Sequence, residues 1–230
     1  MEFQRYAIYY TAPNGALADF GAAWLGWDIA TGLPVQHPIV HGLQDDVSEI
    51  TQTPRKYGFH GTIKPPFRLA SGTTAAALAE RVKTLCSVEQ PFALDGLKLS
   101  RLGRFLALTI EGDATPLANL ASTMVKELDV FRAPPTEMEL EKRRKANLSE
   151  QQEQYLMQWG YPYVMDEFRF HLTLTGRLET NRAAALQEIL EPVLEGTLPT
   201  PFKVDDLTLA GEDMSGRFHE IQRFKLAGEG

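Results

Sequence analysis

A single cysteine, Cys86, in 230 residues excludes an intrachain disulfide and any zinc cluster built on several thiolates. No stretch reaches the roughly 18 uninterrupted apolar residues that a membrane-spanning helix needs. The opening segment MEFQRYAIYYTAPNG lacks a basic start, an apolar run and a small-residue cleavage site, so no signal peptide is expected. Basic residues are in the minority, 23 against 30 acidic, for a net charge of −7 and a pI near 5.3. Such a field repels a long polyanion and leaves room for a short anionic ligand held in a local basic pocket. Hydrophobic residues at 43% and charged residues at 23% give the ordinary globular balance. These features predict a compact soluble protein of the reducing cytoplasm, within the length of one domain.

Histidine is also scarce, with five in the chain, yet two of them stand in matching settings. Residues 57 to 64 read YGFHGTIK and residues 168 to 175 read FRFHLTLT, each with a threonine two places after the histidine. The downstream segments match as well. After the first comes SGTTAAALAERVKTLC, with Ala75, Leu78, Val82 and Leu85 on one helical face and Thr73 or Thr74 as its cap. After the second comes ETNRAAALQEILEPVLEG, with Leu186, Ile189, Leu190, Val193 and Leu194 at helical spacing and Pro192 marking a kink or stop near the end. Both helices lead to a Pro-Phe pair and an alternating stretch that reads as two hairpin-connected strands. His60 to Pro91 is 31 residues and His171 to Pro201 is 30. Three consecutive elements in one register predict an internal duplication, with units at about 57–111 and 168–226 of a single bilobal domain. Two copies are too few for a solenoid, so two lobes with a cleft between them are expected.

Other segments decorate this plan. RYAIYY at 5–10 reads as an opening strand, and Leu17, Phe20, Gly21 and Trp24 mark a helix after it. GLQDDVSEITQTPRK, before the first histidine, reads as a polar loop. TPLANLASTMVKELDVF reads as a helix with Leu117, Leu120, Met124 and Leu128 along one side. The 133–160 stretch is polar, and Thr136 with Glu139 and Ser149 with Gln152 form two capping-box patterns, which predicts an inserted helical segment.

On a strand, alternate residues share a face. Gly58, His60, Thr62 and Lys64 then line one side of the first segment, and Arg169, His171, Thr173 and Thr175 one side of the second. Each row offers a histidine, a hydroxyl and a cation. Imidazole titrates near pH 6.5, so of two rings one can act as a neutral base while the other, beside a phosphate, is held as the acid. Opening a phosphodiester needs such a pair on opposite sides of phosphorus. Thr62 and Thr173 can donate to non-bridging oxygens, and Lys64 and Arg169 can offset their charge. This chemistry calls for no cofactor and no metal.

HGTI and HLTL, each on a predicted strand of a duplicated unit, resemble the paired His-x-Thr signature of the two-histidine (2H) phosphoesterase superfamily. That superfamily includes RNA 2',3'-cyclic phosphodiesterases and 2',5' RNA ligase-like enzymes. The resemblance implies an α+β bilobal fold, two antiparallel sheets facing a central cleft with helices outside. RYAIYYTAP, FGAAWLGWDIATG, KYGFHGTIKPPF and WGYPYVMDEFRFHLTLTG are similar to the phosphonate metabolism protein family, whose genes accompany those of the carbon-phosphorus lyase pathway. Carried over, His60 and His171 are the acid-base pair of a cyclic phosphodiesterase, and Thr62 and Thr173 its phosphate ligands. The superfamily favours an apolar residue after the histidine; Leu172 fits and Gly61 departs, which points to a close backbone approach or a kink at the first motif.

The remaining candidates are weaker. Tyr57 could stand at the cleft mouth. His37 and His41 have ligand-like spacing, but Pro38 and Gly42 favour a loop. His219 reads as a solvent-facing strand residue, and Arg143 and Arg144 as a solvated charge run. The expected partner is a small phosphorylated substrate, of phosphoribosyl or nucleotide type, and not a membrane or a long nucleic acid. Processing of RNA 2',3'-cyclic phosphate ends and a non-catalytic phosphate-ligand sensor are the alternatives.

Overall fold

The computed structural model describes residues 2–228. β1 (Arg5–Thr11) turns Tyr6, Ile8 and Tyr10 to the main core and Ala7 and Tyr9 to the opposite face. α1 (Ala16–Leu25) follows, burying Leu17, Gly21, Trp24 and Leu25, and a short ribbon pairs β2 (Trp27–Asp28) with β3 (Leu33–Pro34). The segment before the first histidine, expected as a loop, holds two single-turn helices, α2 (Val47–Ile50) and α3 (Gln52–Arg55). The reason is local: Asp46 caps α2 by accepting from the Ser48 N–H, while Val47 and Ile50 find the core.

The same order of parts then occurs twice. The first run is β4 (His60–Phe67), α4 (Ala75–Cys86), β5 (Phe92–Leu94), β6 (Gly96–Leu102) and β7 (Phe105–Glu111). The second is β8 (His171–Thr173), α8 (Thr180–Leu194), β9 (Phe202–Val204), β10 (Asp206–Glu212) and β11 (Phe218–Lys225). Thr74 caps α4 through the Ala77 N–H, and α8 ends two residues beyond Pro192. Between the runs stand α5 (Thr115–Glu127) and the helices α6 (Glu137–Arg144) and α7 (Glu150–Trp159). Both capping boxes form, Thr136 with Glu139 and Ser149 with Gln152.

The result is an α+β protein whose main sheet runs β11-β10-β1-β4-β8-β7-β6, antiparallel throughout. The hairpins have changed places. β6 and β7 of the first run extend β8 of the second, while β10 and β11 of the second reach β4 of the first through β1. α4 packs on β10 and β11, and α8 on β6 and β7. β5 and β9 pair with each other where the two runs cross. One pair, Gly61 with Leu172, joins the four-stranded and three-stranded halves. The core lies between the sheet and helices α1, α4, α5 and α8, and includes Leu78, Val82, Leu117, Met124, Leu186 and Leu190. Burying each such side chain is worth about 1.5–3 kcal/mol. Among the described residues no helix is long and apolar enough to cross a membrane.

Candidate active site

The seam between the two halves places the histidines. Because β4 and β8 are antiparallel with Gly61 opposite Leu172, the neighbouring positions set His60 opposite Thr173 and Thr62 opposite His171. Directly opposite residues share a face, so both histidines and both threonines stand on one side of the sheet. Two cavities flank them. One, of about 220 Å³, is lined by His60, Thr173, Tyr57 and Phe105 among others. The other, of about 320 Å³, is lined by His171, Thr62, Arg169, Tyr161 and Tyr163. Each cavity therefore takes its histidine from one strand and its threonine from the other.

Backbone carbonyls fix both rings in the same way. His60 Nδ1 donates to the Gly58 carbonyl at 3.0 Å, and His171 Nδ1 donates to the Arg169 carbonyl at 2.8 Å. The working nitrogen of each ring is then Nε2. The Thr62 hydroxyl donates to His60 Nε2 at 3.1 Å, while among the described residues His171 Nε2 and the Thr173 hydroxyl have no protein partner. Gly58 can present its carbonyl because it lies at φ 70°, where a Cβ would also come within 2.7 Å of Ile29.

Tyr9 lies against His60 with ring centroids 3.9 Å apart and planes tilted by 32°, and Tyr57 lies next to it at 5.9 Å. Burial pushes the His60 imidazolium down to about 4, with the nearby His171 adding to that effect. His60 is thus neutral at neutral pH. Among the described residues the buried Tyr9 hydroxyl has no hydrogen-bond partner, and burial holds it well above its ordinary pKa. Around His171 the walls are looser: Phe105 sits 5.8 Å away and the segment 161–169 closes the far side.

Lys64 does not join the site. The register of β4 on β1 slips between Ile8–Lys64 and Tyr9–Thr62, so the bulge at Ile63 turns Lys64 to the core face. There its ammonium donates to the Val125 carbonyl at 2.9 Å and lies 3.6 Å from Asp129. Burial pulls it down to about 8. Arg169 does line the His171 cavity, although its Nη1 is tied to the carbonyls of Asp166 and Phe168. Thr175 is buried, donating to the Gly176 carbonyl and accepting from the Leu106 N–H. His219 is not a solvent-facing residue: it contacts Asp213 at 2.8 Å and meets the Trp27 ring edge-on. His37 sits in a loop, bonded to the Trp24 carbonyl.

The close approach expected at Gly61 is a ring. A Cβ there would fall 2.2 Å from the Phe170 side chain, so the phenylalanine of the second motif packs over the glycine of the first. Tyr9, Phe105, Tyr161 and Tyr163 had no signal as site residues, except that two of them lie in the WGYPYV stretch preceding the second motif.

Fold and site define an α+β protein with two facing His-x-Thr strands. Residues 62–219 match the family described as "Protein of unknown function (DUF1045)", and the chain belongs to that family. Two curated relatives are similar. "Ribose 1,5-bisphosphate phosphokinase PhnN" of Janthinobacterium sp. (strain Marseille) is 37% identical over 237 residues, 98% of this chain and 51% of the relative. The protein of that name from Laribacter hongkongensis (strain HLHK9) is 33% identical over 178 residues, 76% of this chain and 40% of the relative. The chain thus spans about half the length of the curated relatives it matches, or less. Solved structures aligned with it include E. coli LigT complexed with 3'-AMP, at 15% identity and TM-score 0.44, covering 98% of this chain and 99% of that one. TT0787 of Thermus thermophilus aligns at 13% identity and TM-score 0.44, covering 98% and 100%.

Proposed function

We propose that the protein is a phosphoesterase that opens a small cyclic phosphodiester by general acid-base catalysis between His60 and His171. The observation that carries this reading is the β4–β8 register, which sets each histidine across from the other motif's threonine with both Nε2 atoms as working nitrogens. His60, neutral at neutral pH, takes a proton from water as its oxygen attacks phosphorus. The bond from phosphorus to one ring oxygen breaks, and that oxygen takes the Nε2 proton of His171. A bound phosphate anion favours the imidazolium that this step needs. On substrate binding the Thr62 hydroxyl turns from His60 Nε2, which frees that nitrogen, and donates with Thr173 to the non-bridging oxygens, while Arg169 lends its charge at the cavity wall. The products are a phosphomonoester and a free hydroxyl, and a proton passes back from His60 to His171 between turnovers. Base, acid and oxygen ligands all come from the chain, so the step requires no metal.

The relatives' names point to phosphorylated ribose, and a ribose cyclic phosphate is the first substrate to try. The kinase part of those names is not carried over: these 230 residues contain no Gly-Lys pair and so no GxxxxGK[ST] phosphate loop. The test is turnover of a panel of cyclic phosphates in EDTA by the wild type, His60→Ala and His171→Ala. Turnover that survives chelation and collapses in both variants is expected. Full activity without the two histidines sinks the proposal, and tight binding with no product turns it toward a sensor.

A further inference from the structure

A third cavity, of about 90 Å³, opens where the 133–160 segment meets the ends of β1 and β4. Arg5, Arg68, Arg132, Lys142 and Arg143 line it, against one carboxylate, Glu139. Glu212 and Asp129 pair with two of these arginines from outside the lining, so five cations meet three carboxylates, still a local reversal in a protein of net charge −7. Three of the arginines are anchored along one part of the guanidinium only. Arg5 bonds Glu212 through Nε and Nη2, Arg132 bonds Asp129 and the Gln158 carbonyl through Nε and Nη2, and Arg68 bonds Glu139 and the Pro134 carbonyl through Nη2. Among the described residues, Nη1 of all three has no hydrogen-bond partner. Among the described residues Lys142 has no ion-pair partner, and the Arg143 guanidinium is held over the Tyr161 ring at 4.6 Å. Pre-set guanidinium forks with spare donors suit a phosphate group.

The cavity adjoins the histidine site. Tyr161, which carries Arg143, is itself a wall of the His171 cavity, and Pro65 lines that cavity while Pro66 lines the basic one. Resting on the function proposed above, we infer that the substrate bears a second, terminal phosphate, which this basic cavity holds while the cyclic diester lies between the histidines. The interaction anchors the end of the substrate remote from the reacting phosphorus and selects phosphorylated substrates over unphosphorylated ones.

The test pairs cytidine 2',3'-cyclic phosphate with its 5'-phosphorylated form, in the wild type and in the double variant Lys142→Gln/Arg143→Gln. The wild type should prefer the 5'-phosphorylated member, and the variant should lose about ten- to a hundredfold of that kcat/KM ratio. An unchanged ratio overturns the inference. A separate arm titrates inorganic phosphate into His60→Ala/His171→Ala, with and without the Lys142→Gln/Arg143→Gln changes, and needs no turnover. Saturable binding that the added changes weaken by a similar factor supports the cavity even if the catalytic reading fails; equal or absent binding in both proteins counts against it. Phosphate binding at the cavity with no substrate preference overturns the tether in favour of free phosphate as the ligand.

Discussion

The two histidine strands share one backbone device and differ in what surrounds it. Both rings hand Nδ1–H to the carbonyl two residues before, yet His60 lies under Tyr9 beside Tyr57, while His171 faces a larger cavity, its Nε2 without a partner among the described residues. The same short motif has been placed in a half-buried setting walled by aromatic rings and in a more open one. Burial keeps His60 neutral and suited to accept a proton, and openness leaves His171 free to meet an anion and give one. The asymmetry lies in the neighbours, which come from β1, β7, Tyr57 and the 161–169 segment, outside the two His-x-Thr triplets.

The sharpest way to break this comparison is to change the leaving group. His60→Ala and His171→Ala should each lower kcat on an alkyl cyclic phosphate by about 10²–10⁴. On a p-nitrophenyl phosphodiester, whose leaving group needs no proton, the His171→Ala defect should shrink to near tenfold while the His60→Ala defect persists. Equal rescue of both variants, or rescue of His60→Ala alone, contradicts the assignment.

Gly61 and Leu172 occupy the paired positions between the histidines, and substitution should separate them. Gly61→Ala drives a methyl into the Phe170 ring and shifts the seam, so activity should fall about tenfold or more, with a loss of about 1–3 kcal/mol in chemical denaturation. Leu172→Ala removes fully buried contacts and should cost about 2–5 kcal/mol, with the larger share of its effect on stability. A Gly61→Ala variant as active and stable as the wild type would show that Phe170 is not held where the seam needs it.

The setting of His60 also predicts a pH signature. Its folded pKa, about 4, lies below the ordinary value near 6.5, so between those limits the unfolded chain binds the extra proton. Its contribution to stability is therefore complete above pH 6.5 and is lost as pH falls toward 4, about 3 kcal/mol in all. Denaturation of the wild type and His60→Asn at pH 7 and pH 4.5 measures it as the difference between their pH slopes. In the same way the acid limb of kcat/KM should fall near pH 4, and Tyr9→Leu, by admitting water to the ring, should raise that limb toward 6.5. A limb that stays put in Tyr9→Leu removes Tyr9 from the account.

The smallest effect on turnover belongs to Lys64→Met. With its ammonium on the core face, kcat/KM should stay within about twofold while the midpoint of unfolding falls, because the Val125 carbonyl loses its donor. A large drop in kcat with unchanged stability would restore Lys64 to the phosphate.

Lys64 also marks how far the sequence could be read. Alternation placed His60 and Thr62 on one face, and a single bulge opposite Ile8 and Tyr9 then reversed Lys64, a register event that needs the partner strand to be seen. The α+β class and the repeated order of strand, helix and hairpin were legible because period, caps and the two Pro-Phe pairs are local signals; we take that repetition as a duplication. The short helices α2 and α3 were not legible, since four residues are too few to show a period. Among site residues, Tyr9 could not be found from RYAIYY, where three tyrosines alternate faces and only the pairing decides which one meets His60. The 143–144 pair divides similarly: Arg144 is tied to Glu137 and Glu153 as a surface charge run would be, and Arg143 instead turns to Tyr161.

The exchanged hairpins have a consequence for how the protein is made. The strand bearing His60 has β1 on one flank, and β1 in turn needs β10, whose residues leave the ribosome well over a hundred positions later. The half of the sheet that begins at the N-terminus is thus finished last, after the other half already has its strands β6, β7 and β8. During synthesis β1 and β4 must wait with an open edge, and a ribosome stalled before residue 206 would hold a chain with its later lobe closable and its first lobe exposed.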